Sequence, residues 1–253
     1  MTMRATLAHL ARLGPTFVLR TVAEQLWSTK IFLGLRADLS LLPSVRPAKI
    51  PLRMEPLDAS EFTGFADELD HTAGSDHLQA LIRTWSCAAG VRQLYVASDP
   101  SDAPVYGQWL VRPRDQHLID AHSPGRYPSL RDDEVLLEGA YTFARFRGIG
   151  AMPDGMGQLL AMARAEGFTH AITYVAADNV PSLRGCARVG FRLDHRRENA
   201  RRLGSTRSLV RSVDDRARRS WDTANGAAPA VSALPQDATA HAPITGLGSG
   251  LRG

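Results

Sequence analysis

Between Arg145 and Gly155 the chain reads RFRGIGAMPDG, and two residue types in that stretch can do chemistry. Gly148 and Gly150 let a backbone turn sharply and come close to a ligand. Arg145 and Arg147 bring positive charge to the same turn. A strand-like run precedes the turn and a helix-like run follows it. Such a turn presents unpaired N–H groups together with the positive end of a helix dipole. That combination suits an anion, and a pyrophosphate in particular. The same residue types also make an ordinary strand–helix turn with no ligand. Two nucleotide-binding patterns fail on these residues. The dinucleotide fingerprint needs G-x-G-x-x-G, and Pro153 stands where the third glycine belongs. A P-loop needs a lysine that the stretch lacks.

The elements that must position this turn can be read from periodicity. Glu134–Phe143, EVLLEGAYTF, is a strand leading into it. Pro153–Gly167, PDGMGQLLAMARAEG, reads as a helix with proline near its start and glycine as its stop. HAITYVA is the next strand, NVPSLRGCARVG a short capped helix, and FRLDHRR and STRSLVRSV two further strands. Upstream, KIPLRMEPL alternates like a strand, and Asp76–Gly90 has helical periodicity. RQLYVASD and PVYGQWLVRP flank a turn at PSDA. The middle of the chain therefore reads as one α/β domain of mixed strand order.

Composition bounds the rest. The chain has 253 residues, 44 % hydrophobic and 22 % charged, as a soluble globular protein has. Two cysteines, Cys87 and Cys186, make no disulfide framework, and no metal-ligand spacing occurs. A reducing cytoplasm is the expected compartment, with no metal. Residues 1–48 read as an N-terminal helical extension, with leucines and valines at roughly helical spacing. No apolar run there reaches the ~20 residues that span a bilayer. This segment is expected to pack on its own domain, with a membrane surface or a partner as the other readings. Residues 214–253, rich in Ala, Pro, Gly, Ser and Thr, read as a disordered tail. Nine arginines lie between Arg184 and Arg211 against only Asp194 and Glu198. No aromatic residues interleave with them as stacking platforms, so nucleic-acid binding is not expected.

The order of signals from Val135 to Phe191 resembles the GNAT superfamily of acyl-CoA N-acyltransferases. The residues that carry the resemblance are the arginine–glycine loop, Asn179 at the end of the next strand, and Gly190-Phe191 closing the following helix. The resemblance extends to about 50–213. It implies an α/β fold with a mixed, splayed central sheet flanked by helices, and a domain over 49–213. It also implies acetyl-CoA as cosubstrate and a primary amine as acceptor. The loop admits two registers, Arg145-x-x-Gly148-x-Gly150 and Arg147-x-x-Gly150-x-Met152; the second fits the helix length better. Ile149 and Ala151 lie inside both. The resemblance further implies that the strand end Tyr141, Thr142 and Phe143 lines the pantetheine arm. Asn179 would bond to that arm, and Ser182 would stand beside the pyrophosphate. A plain helix N-cap is the other reading of Asn179.

Amide formation needs a neutral amine, and a carboxylate commonly takes its proton. Glu134 and Glu138 lie four apart on the strand before the loop and share one face. Glu138 is nearer the loop and is the first choice as base or amine anchor. Where the family often has a tyrosine that protonates the leaving thiolate, this chain has Cys186. Two functions follow: an N-acetyltransferase, or a non-catalytic acyl-CoA-binding or scaffold domain of the same fold. The arginines of the last strands suggest an anionic acceptor, and those strands would also suit a homodimer.

Overall fold

In the computed structural model, residues 27–57, 94–122, 127–203 and 205–226 are described. The expected helix at 76–90, the segment 1–26 and the segment 227–253 lie outside them. Eight strands form one sheet. They are β1 (Trp27–Asp38), β2 (Arg53–Pro56), β3 (Leu94–Ser98), β4 (Pro104–Val111), β5 (Glu134–Thr142), β6 (His170–Ala176), β7 (Arg192–Arg202) and β8 (Ser205–Ser212). Four α-helices accompany them among the described residues: α1 (Gln116–His122), α2 (Ala151–Ala165), α3 (Val180–Arg188) and α4 (Asp215–Asn225). The spatial order is β2-β3-β4-β5-β6-β1-β7-β8. All neighbours are antiparallel except β5 and β6, which run parallel through the crossover helix α2. This is the mixed α/β architecture that the sequence implies.

The sheet divides the core in two. One face, with Leu35, Tyr106, Leu110, Leu137 and Leu193, packs under α2 and α3. Helix α2 presents Ala151, Gly155, Met156, Leu159, Leu160 and Ala163 to it, a stripe at helical spacing. Full burial of Met156, Leu159 and Leu160 contributes roughly 1.5–3 kcal/mol apiece. At its far end α2 is tied to β4 by a two-pronged ion pair. Arg112 Nε donates to Glu166 at 2.7 Å and a terminal nitrogen of Arg112 donates to the other carboxylate oxygen at 2.5 Å. The opposite face carries Val96, Trp109, Leu136, Tyr141, Phe143 and Ile172, with Ile119 of α1.

Two boundaries read from the sequence are corrected. Trp27–Asp38, expected inside a helical extension, is strand β1 and sits between β6 and β7. Its run KIFLGLRA carries Leu33, Leu35 and Ala37 on the core face and Phe32 and Gly34 on the other, and apolar residues on both faces hide the two-residue period. The domain therefore includes residues before 49. The expected tail is also helical at its start. Asp214 caps α4 by accepting from the N–H of Ala217 at 2.7 Å, and Trp221 is buried in the core. The Ala/Pro/Gly/Ser-rich composition begins only after that helix, beyond Gly226, whose φ of 62° ends it.

Candidate functional site

The parallel pair β5–β6 comes apart. The two strands pair over only three positions, Glu134↔His170, Val135↔Ala171 and Leu136↔Ile172. Beyond them β5 stays with β4 and β6 stays with β1. The result is a V-shaped opening whose closed end is at Glu134 and whose mouth faces the glycine loop. A β-bulge sharpens the parting. Trp109 of β4 opposes Glu138 and Gly107 opposes Tyr141, so Gly139 and Ala140 share the single residue Gln108. Gly139 takes φ +66°, and a side chain there would strike the Trp109 ring, 2.6 Å from Cζ3. Only glycine fits this position. Across from the bulge, the buried Nε2 of Gln108 has no hydrogen-bond partner among the described residues.

The loop after β5 is built from its own sequence. Phe143 is buried, packs edge-on against Tyr141 at 5.2 Å and donates its N–H to Val105. Ala144–Phe146 form one 3-10 turn, over which the Arg145 guanidinium covers the Phe146 ring at 4.9 Å. Arg147 Nε donates to the Thr142 carbonyl at 3.3 Å. Gly148 and Gly150 then take φ +80° and +90°, and Gly150 is the N-cap of α2. A side chain at Gly148 would point into open space, so the turn is accessible from outside. Ile149 accepts from the N–H of Lys49 at 2.9 Å, and Asp154 accepts from that of Ala48 at 2.9 Å. These two bonds fasten the loop to the segment before β2. Ala151 is buried and Met152 half-buried, at the first two helical positions. Pro153 has no N–H to offer, so the donors at this end belong to residues 148–152.

Asn179 and Ser182 stand at the start of α3. Asn179 is exposed, and its side chain caps the helix by accepting from the N–H of Ser182 at 3.3 Å. The cap reading of Asn179 is therefore realised.

The two carboxylates of β5 part company. Glu138 is half-buried at the bulge, just past the last position paired to β6. Glu134 is 5 % exposed at the closed end. It is ion-paired to Arg36 of β1 and accepts from the Arg131 guanidinium at 2.7 Å and the Arg131 N–H at 3.1 Å. Four residues of strand separate the two carboxylates by ~13 Å. Glu134 is a clamp on the sheet and lies away from the mouth. Cys186 is fully buried in the core under α2 and α3, where burial pushes its thiol up to about 12. A thiol enclosed in this way packs and offers no exposed proton.

Residues that sequence reading passed over share the face of Glu138. Continuing the β5–β6 register two positions past Leu136↔Ile172 sets Tyr174 opposite Glu138 across the opening. Burial pushes the Tyr174 phenol up to about 12, which keeps it neutral. His195 and Arg197 of β7 lie on the same face, reached through Gly34↔Tyr174 and Gly34↔His195. Arg197 is buried, and its guanidinium donates to Asn199 at 3.1 Å and to Ser208 at 3.0 Å. The alternation of HAITYVA could have placed Tyr174 on a face, but no local signal shows which strands lie beside it.

Among the described residues no helix is long and apolar enough to cross a membrane. Nor, among them, do three or more His, Cys, Asp or Glu gather as a metal site would require. No family model matches the sequence, and no curated protein matches it. Solved structures do match. A GNAT-family acetyltransferase from Colwellia psychrerythraea aligns with TM-score 0.46 and 10 % identity, over 76 % of this chain and 59 % of that one. A GCN5-related N-acetyltransferase from Sphaerobacter thermophilus aligns with TM-score 0.46 and 10 % identity, over 75 % and 58 %. A putative GNAT-family acetyltransferase from Novosphingobium aromaticivorans gives 0.42 and 16 %, over 74 % and 66 %. The chain thus spans about three fifths of the length of the first two structures. Among the described residues one strand pair is parallel, it splays, and a glycine loop opens the helix that follows, which is the mixed, splayed α/β architecture that the GNAT resemblance implies.

Proposed function

We propose that this protein is an N-acetyltransferase that moves an acetyl group from acetyl-CoA to a primary amine by direct attack. The observation that carries the reading is the parting of β5 from β6 after Leu136, with the Gly148–Gly150 turn at the α2 N-terminus just beyond. The open space beside Gly148 and its positive φ are what a backbone cradle for a pyrophosphate needs. In this reading the N–H groups of 148–152 and the charge of Arg147 or Arg145 receive the pyrophosphate. The backbone of Tyr141, Thr142 and Phe143 lines the pantetheine arm, with Asn179 and Ser182 on its other side. Bound there, acetyl-CoA supplies an activated carbonyl and a thiolate leaving group.

Glu138 meets the acceptor at the mouth, as amine anchor or base. An ammonium has a pKa near ~10.4, so a group that holds it and a group that deprotonates it are both required. The arginines of β7 favour an acceptor that carries an acidic group. The protein works in the cytoplasm in this reading, and β8, at the sheet edge, is where two copies would pair. Burial of Cys186 favours a second reading, a domain that binds acyl-CoA without turning it over. The thiolate would otherwise leave without an acid at that position.

Calorimetric titration of the purified protein with acetyl-CoA tests the reading. The wild type is expected to bind saturably. Gly150→Glu, which forces a charged side chain into a left-handed position on the anion site, is expected to lose that binding at least tenfold. A wild type that does not bind acetyl-CoA overturns both readings. Binding without release of CoA thiol in the presence of amines selects the second.

A further inference from the structure

Three strands outrun the rest of the sheet. β6 ends at Ala176, which opposes Phe32 of β1. β1 runs on to Trp27, paired with β7 as far as Arg202, and β7 stays paired with β8 to Arg202↔Ser205. The residues Trp27–Ile31 of β1 thus carry a three-stranded ribbon ~17 Å past the end of β6. β1 is antiparallel to β6, so its first residues lie at the end where β6 finishes.

Exposed apolar side chains gather at that end. Six large hydrophobic side chains are exposed among the described residues: Trp27, Val180, Leu203, Leu209 and Val210 stand there, and Leu41 stands elsewhere. Scattered singly, such residues need no explanation. Grouped and rimmed by charge, they mark a contact surface. Leu203 is the sharpest case. Leu203-Gly204 joins β7 to β8, and Leu203 takes φ +47° at 79 % exposure. Asparagine, aspartate or glycine is the usual residue at a positive φ in so short a connection. A leucine there is strained, and at this exposure it packs little within its own chain. Strain without a packing reason points to function.

The charge of the ribbon has one sign. From 196 to 211 it holds Arg196, Arg197, Arg201, Arg202, Arg207 and Arg211 against Glu198 alone. Arg202 lays its guanidinium over the Trp27 ring at 4.2 Å and donates to the Ser28 carbonyl at 2.8 Å, which holds ring and charge together near the tip. Arg207 and Arg211 are exposed on β8. Arg207 pairs with Ala200, three residues or ~10 Å behind Leu203. An interfacial element buries its apolar side ~5–10 Å into the headgroup–acyl boundary. Leu203 and Trp27 reach that depth while Arg207 and Arg211 stay level with headgroup phosphates. Nucleic acid also offers phosphates, but it needs stacking faces. Leu203, Leu209 and Val210 have none, and one face of Trp27 is covered by Arg202.

We propose that the β1–β7–β8 ribbon docks on an anionic lipid bilayer, with Leu203 and Trp27 at the headgroup–acyl boundary and Arg202, Arg207 and Arg211 on the lipid phosphates. Contact at this depth leaves the backbone edge of β8 within reach of water. The inference is independent of the acetyltransferase reading.

The test is co-sedimentation of the full chain with vesicles of phosphatidylcholine alone and of phosphatidylcholine with 30 % phosphatidylglycerol. Binding to the anionic vesicles is expected to be at least tenfold tighter, and to weaken at least tenfold between 0.1 and 0.5 M salt. Leu203→Asn, which suits the positive φ, should weaken it by about tenfold with no fall in Tm. Trp27→Ala should weaken it by a similar factor, and Arg207→Gln and Arg211→Gln by about fivefold each. No sedimentation with the anionic vesicles overturns the inference, as does equal binding to both kinds. Binding that survives Leu203→Asn and Trp27→Ala but is lost when Arg4, Arg12 and Arg20 become glutamine assigns the contact to segment 1–26 and also overturns it. So does a vesicle-independent dimer, read by light scattering, that Leu203→Asn splits into monomers, since the ribbon would then seat a second copy.

Discussion

Glu134 and Glu138 are the same residue type on the same face of the same strand, four positions apart, yet their surroundings differ completely. At the closed end β5 and β6 still pair, and Glu134 is shut between Arg36 and Arg131 at 5 % exposure. At the mouth β6 has left, a bulge has turned the strand, and Glu138 is half-buried. A carboxylate that clamps a sheet and one that meets a ligand are thus separated by where two strands part. Residue type and spacing alone make them equivalent.

The sharpest way to break this comparison is to neutralise each carboxylate in turn. Glu138→Gln keeps shape and removes charge. In the acetyltransferase reading it should lower kcat/KM for the acceptor by ~10²-fold, the worth of a charge-assisted bond to a buried ammonium. Thermal stability should stay within ~0.5 kcal/mol. An unchanged kcat/KM would remove Glu138 from the site.

What could be read from the sequence and what could not follows the same line between local and long-range signals. The turn, the helix after it and strand β6 are specified by neighbours in the chain. Gly148 and Gly150 have the positive φ that their type suggests, and HAITYVA is β6 residue for residue. Strand β1 is different, since its place between β6 and β7 is fixed by partners more than 130 positions away. Its apolar run, with residues of both faces mixed, carries no local pattern that separates a strand from a helix. His195 was invisible for a stronger reason. Its approach to Tyr174 needs the register of three strands, a bulge at Asp194 and the missing side chain of Gly34 at once. Trp221 failed as a signal because a single buried aromatic in a polar stretch shows no periodicity.

The complementary substitution, Glu134→Gln, should reverse the pattern. It leaves the Arg36 and Arg131 guanidinium groups facing a neutral amide. The expected cost is ~1–3 kcal/mol, because Arg36 and Arg131 keep some access to water. In a chain of this size that corresponds to a fall in Tm of several degrees. Turnover of the folded protein should be unchanged. A loss of turnover without a fall in Tm would mean that the closed end belongs to the site after all.

Cys186 sharpens the comparison from the other side, as a group of reactive type held away from the mouth altogether. Cys186→Ala should leave turnover unchanged, because a thiol enclosed in the core has no exposed proton to give. At pH 7 it should cost about 1 kcal/mol for the lost packing. The sign of the pH dependence follows from burial, which raises the folded thiol to about 12. The unfolded thiol ionises near ~8.5, so above that pH the unfolded chain sheds a proton that the folded chain keeps. Stability tied to the neutral thiol is complete below ~8.5 and declines above it, by up to ~1.4 kcal/mol per pH unit. The wild type's advantage over Cys186→Ala should therefore vanish within about one pH unit above ~8.5, as read from the Tm of both proteins between pH 7 and 10. An advantage that grows with pH would mean that the thiolate is stabilised in the folded chain, and Cys186 would return as a candidate for the chemistry at the mouth.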